Sequence, residues 1–97
     1  MEFSWDSRKS AVNLALRGFD FAFATLVFYG PTFEQADTRE DYGERRVVAV
    51  GLAQGVFLTV VYTDRTVGDS RRVRRIISAR RSNRHEREAY EKGRDAR

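Results

Sequence analysis

The sequence predicts a single α+β domain, a small antiparallel β-sheet with two N-terminal helices and one C-terminal helix. Three observations carry this. The chain has 97 residues, enough for one domain. Capped helical segments stand at both ends. Valine-rich runs joined by short turns fill the middle, and helices segregated from such a run make an α+β architecture. The domain is assigned to residues 1–93, with 94–97 as a frayed tail.

The elements follow in order. Phe3-Ser4-Trp5 alternates and starts a sheet. Asp6 or Ser7 caps a helix over residues 8–17, because a short oxygen side chain satisfies an orphan amide. That helix places Val12, Ala15 and Leu16 on one side. Gly18 ends it. Asp20 caps a second helix, Phe21 to Phe28, apolar nearly all round and therefore buried. A buried strand is the competing reading, since periodicity does not separate the two in so short a run. Gly30-Pro31 stops it. Residues 32–45 are polar and acidic, part strand and part loop.

Three strands come next: Arg46 to Leu52, Val56 to Thr63 and Arg72 to Ala79. Gln54-Gly55 is a tight turn, and Asp64 to Ser70 is the second connection. Short loops between successive strands predict an antiparallel meander. Asn83 with Glu86 forms a capping box that opens a last helix, ended by Gly93.

Charge is unevenly spread. Residues 71–97 carry eleven Lys or Arg against four Asp or Glu, while residues 1–70 carry seven against ten. A basic terminal third on a mildly acidic body points to a polyanionic partner. There is no cysteine, so disulfides and thiolate metal sites are excluded. The N-terminus lacks the pattern of a signal peptide, and the longest apolar stretch is far short of the roughly 20 residues that span a bilayer. The expectation is a cytoplasmic protein with no membrane partner.

The densest feature is Arg71 to Arg81. Alternation along a strand puts Val73, Arg75, Ile77 and Ala79 on one face, the core side. Arg74, Ile76, Ser78 and Arg80 fall on the other, where arginine forks suit phosphate oxygens. Ordinary catalytic motifs are missing: there is no HExxH, no P-loop and no nucleophile elbow. Acidic residues gather at 34–44 in a loop-like stretch, so neither a metal nor a cofactor is expected. One reaction class remains. RNA carries its own nucleophile, the 2′-hydroxyl, and a protein cleaves it by positioning the backbone and stabilising charge on the phosphate. Arginine does not accept protons at ordinary pH. Tyr62, Tyr90 and His85 are the candidates for proton transfer.

Several pieces in order resemble the BrnT family of toxins. Trp5-Asp6, Lys9, Asn13, Gly18 and Phe21 are similar to its opening. Gly43-Glu44-Arg45-Arg46 leads into a valine strand. Val60-Val61-Tyr62-Thr63-Asp64-Arg65 follows, and then Arg75-Ile76-Ile77-Ser78-Ala79-Arg80-Arg81 with Glu86 and Tyr90. The family has a Lys-His pair before the glycine; Leu16-Arg17 stands there in this chain. The resemblance implies a RelE-like fold and a ribonuclease that arrests translation and growth. It further implies a BrnA-like protein antitoxin, through which alone the toxin reaches operator DNA. Arg65, Ser78 and Arg80 are the catalytic candidates it carries over. Arg65 and Arg80 hold phosphate and transition-state charge; Ser78 orients the substrate. Arg17, Arg46, Arg74 and Arg81 are candidate RNA contacts.

Cleavage without a metal is therefore the main expectation. The alternatives are a non-catalytic nucleic-acid-binding module and a domain that only holds its antitoxin.

Overall fold

The computed structural model describes residues 1–95. Five strands form one mixed sheet in the order β1-β5-β4-β3-β2. They are β1 (Glu2–Trp5), β2 (Phe33–Ala36), β3 (Val47–Ala53), β4 (Val56–Val67) and β5 (Arg71–Arg81). The strands β2 to β5 pair antiparallel, as expected of the meander. The expectation of a wholly antiparallel sheet is corrected at one edge, because β1 pairs β5 in parallel. A parallel pair needs a long crossover, and here the entire chain from Ser7 to Ser70 supplies it.

The helix α1 (Ser7–Arg17) is capped by Asp6, whose carboxylate accepts from the amides of Arg8 and Lys9. It ends at Gly18, which takes the left-handed conformation. Its buried face is not the apolar one. Ser10 and Asn13 are buried, while Val12, Leu14 and Leu16 are exposed. The reason is the sharp connection into the next helix. The amide of Phe21 donates to Ser10 Oγ, and Asn13 Nδ2 donates to the Phe19 carbonyl. Buried backbone groups demand partners, so two polar side chains take the inward positions.

Asp20 caps the second helix through the Phe23 amide. Here α2 (Phe21–Ala24) tightens at once into a 3₁₀ turn over Thr25–Tyr29. The segment is helical, which decides against the strand reading. The turn Gln54-Gly55 has both residues at positive φ, the geometry that matches the twist of a two-residue hairpin. The strand β4 runs four residues past its expected end, to Val67, and shortens the next connection. Its extension is laced by Asp64 to Arg74.

Each face of the sheet has its own cover. Ala49, Leu58, Val60, Tyr62, Ile76 and Ala79 form the main core with Phe19, Phe21, Ala24 and Val27 from the N-terminal helices. On the other face α3 (Arg84–Asp95) packs over one end, with the Tyr90 ring edge-on to Phe57 at 5.4 Å. Asn83 and Glu86 form the expected capping box, each accepting the other's amide. Gly93 does not end α3. It lies within the helix against the Phe33 ring. The expected tail at 94–97 begins inside this helix, and residues 96–97 lie outside the described residues.

Candidate active-site cleft

Strand register decides which side chains meet. The strand β5 carries one extra residue between its partners for Val61 and Tyr62: Ser78 lies opposite Val61 and Ile76 opposite Tyr62. Ile77 is the bulged residue, and a bulge re-aims every side chain beyond it. Ser78 and Arg80 face away from the main core, as expected. Arg74 and Ile76 do not share their face, and Arg75 does. The strict alternation assumed from sequence fails at this point, because a one-residue shift exchanges the faces.

On the face opposite the main core, the rows across β4 and β5 read Thr59–Arg80, Val61–Ser78, Thr63–Arg75 and Arg65–Val73. A cavity of about 290 Å³ sits over the first two rows. Its floor is Val48, Thr59, Val61 and Ser78; Arg80 and Glu86 form one wall, and Asp37 to Arg39 the other. Two elements build these walls. The segment after β2 folds over the sheet, and the capped start of α3 stands across from it.

Within the cleft, Arg80 is gripped by Glu86 through two contacts of 2.7 Å. Hydrogen bonding by Arg80 holds the Glu86 carboxyl down at about 2, and Glu86 in turn raises the guanidinium. On the far wall Arg39 makes two 2.8 Å contacts to Asp37, which keeps that carboxyl below the usual range. Ser78 is exposed, and its side chain makes no hydrogen bond among the described residues. Its hydroxyl is free to meet a ligand. Thr59 and Ser82 bond to each other behind it at 2.8 Å.

Arg65 and Arg46 lie beyond this pocket. Both bind Glu44, Arg46 at 3.0 Å and Arg65 at 3.1 Å. The Arg46 guanidinium also stacks 4.1 Å from the Tyr42 ring centre. Hydrogen bonding from Arg46, then from Arg65, lowers the Glu44 carboxyl. From the Ser78 row to Arg65 is four residues along β4, or about 13 Å at the rise of a strand. The structure therefore places Arg65 on the same face as Ser78 and Arg80 but outside their pocket.

The remaining candidates stand elsewhere. Arg74 lies on the core side, 3.9 Å from the Tyr62 ring centre and 4.8 Å from that of Phe28. Its fork is spent on Asp64, at 2.8 and 2.9 Å. Arg81 lines a hollow with Leu14, Phe19 and Phe23 on the helical side. Arg17, on α1, donates to Asn13 Oδ1. Tyr62 donates at 2.6 Å to Glu34 on the core side, and burial pushes its hydroxyl well above the ordinary range. Tyr90 is buried against Phe57. None of the three side chains considered for proton transfer lines the cleft; His85 lines a neighbouring hollow with Phe33, Gln35 and Glu86.

Sequence reasoning missed Arg39, Arg75 and the second role of Glu86. The capping box did reveal Glu86, since its amide partner and its Arg80 contact use the same carboxylate. No pattern pointed to Arg39. Among the described residues, no group of three His, Cys, Asp or Glu is placed to hold a metal ion, and no helix is by itself long and apolar enough to cross a membrane.

A family model described as the ribonuclease toxin, BrnT, of type II toxin–antitoxin systems matches residues 5–86. No curated protein matches the chain.

Proposed function

Because this chain belongs to the BrnT family of ribonuclease toxins of type II toxin–antitoxin systems, we propose that it cuts RNA in the Ser78–Arg80 cleft and so arrests translation and growth. The observation that carries the reading is the pairing of an unbonded hydroxyl with a fixed arginine fork on one strand. The RNA 2′-oxygen attacks the adjacent phosphorus and loses its proton; the bond to the 5′-oxygen breaks, and that oxygen takes a proton. The products are a 2′,3′-cyclic phosphate and a 5′-hydroxyl end. Arg80 stabilises the charge that grows on the phosphate oxygens. Ser78 donates a hydrogen bond that orients the phosphate. Arg65 and Arg46 hold the chain further along the face. No step calls on a metal or a cofactor.

The inhibitor is a protein antitoxin, BrnA-like, and operator DNA is reached only through it. A largely exposed α1 that presents Val12 and Leu16 one turn apart on one side supports a protein partner, since exposed apolar residues side by side mark such surfaces. The two helices between β1 and β2 support a RelE-like arrangement.

The test is induction in a bacterial host, wild type beside Arg80→Ala and Ser78→Ala, with growth and RNA integrity scored. Purified protein is assayed in parallel with a chelator present. Wild type is expected to stop growth and cut RNA with or without the chelator. Arg80→Ala is expected to lose about 100-fold or more in rate while staying folded, the size seen when a transition-state charge donor is removed. Normal growth and intact RNA with folded wild type would defeat the enzyme reading. A binding-only module is the second reading. The occupation of Arg80 by Glu86 favours it, and salt-dependent RNA binding without cleavage would establish it.

A further inference from the structure

Arg75 is the guanidinium on the cleft face that sequence alternation turns inward and the bulge at Ile77 turns outward. It stands opposite Thr63, between the Ser78 row and the Arg65 row. It is half-buried, so its stem is held by the sheet. Its neighbours on this face are each matched by a carboxylate: Arg80 by Glu86, and Arg65 and Arg46 by Glu44. Arg75 has no such partner among the described residues. An arginine fixed on a strand without a counter-charge is a vacant site for a phosphate.

The rows advance by about 6.6 Å, two residues of a strand. That step is of the order of the separation between neighbouring phosphates along one nucleic-acid strand. A line of guanidinium groups across an open sheet face suits a single strand, whose backbone such a charged track follows. We propose that Arg80, Arg75 and Arg65 form one phosphate track that binds RNA as an extended single strand, with Arg75 the central contact. With one phosphate per row, the phosphate to be cut lies over Ser78 with Arg80 one row behind it, the next at Arg75, and the one after at Arg65. This assignment rests on the reading of RNA as substrate, and it adds the strand state and the path.

The probe is oligouridylate with 2′-O-methyl sugars, which lack the attacking hydroxyl and stay whole. Binding to the full chain is followed by fluorescence anisotropy across a salt series. In Arg75→Gln the slope of log Kobs against log salt should become shallower by about 0.7, one phosphate contact on a single strand. Arg75→Lys, which keeps the charge, should restore the slope. Arg8→Ala, on exposed α1, should leave it at the wild-type value. An unchanged slope in folded Arg75→Gln overturns the track. So does equal affinity for a duplex of the same length, or a loss confined to antitoxin binding. If wild type cuts no RNA yet the slope changes as expected, the track stands and the cleavage reading falls.

Discussion

Glu86 holds three groups with one carboxylate: the amide of Asn83 and both arms of the Arg80 fork. Its position thus couples the start of α3 to the end of β5 in one wall of the cleft. The coupling sets a dependence on acid. The carboxyl sits at about 2 in the folded chain, below its ordinary value of 4.5. A lowered carboxyl adds stability above the unfolded value, and the contribution disappears as pH falls from about 4.5 towards 2. The half-exposed guanidinium is screened by water, so the size is roughly 1–2 kcal/mol. Chemical denaturation of wild type and Glu86→Gln should differ by that much at neutral pH and converge near pH 2. Curves that remain parallel would show that the pair contributes nothing.

The helix α3 is seated by a glycine as well as by the buried Tyr90 ring. A Cβ at Gly93 would come within 2.7 Å of the Phe33 ring. Only a bare backbone approaches β2 so closely. Gly93→Ala gains helix propensity, worth up to about 1 kcal/mol, and meets a contact that costs about 1–3 kcal/mol unless the ring moves. The clash is the larger effect. The variant should lose about 1 kcal/mol or more in thermal unfolding and loosen the cleft wall that α3 provides. A stabilised Gly93→Ala would mean that Phe33 yields freely. Read from sequence alone, Gly93 looked like a helix stop, because glycine at a helix end has that use most often. Its neighbour across the sheet is 60 residues earlier in the chain, and local pattern carries no trace of it.

The whole molecule divides its arginines between two faces. Arg74 holds the core side together, packed on two rings and paired with Asp64. Arg80, Arg75, Arg65 and Arg46 lie on the other side. Arg74→Ala should therefore destabilise the fold by roughly 2–4 kcal/mol, through the lost ring contacts and an Asp64 left without its main partner. Cleavage per folded molecule should stay near wild type. A loss of cleavage at full folding would return Arg74 to the list of RNA contacts. The result also separates the two surfaces, since the antitoxin-facing candidates on α1 lie with Arg74 and away from the cleft.

The fold class, the capped helices, the Gln54-Gly55 hairpin and the Asn83–Glu86 box were all legible in the sequence. Each depends on residues within a few positions of one another, where propensity and hydrogen-bonding chemistry act directly. The placement of Ser78 and Arg80 on an open face was legible as well. Three features depended on the tertiary structure. The parallel edge at β1 needs a partner seventy residues away in the chain. The burial of Ser10 and Asn13 follows from backbone groups of Phe19 and Phe21, in the connection and at the start of the next helix. The exchange of Arg74 for Arg75 follows from a single bulged residue. Sequence alternation assumes an unbroken ladder, and a bulge forms only when two strands have already met.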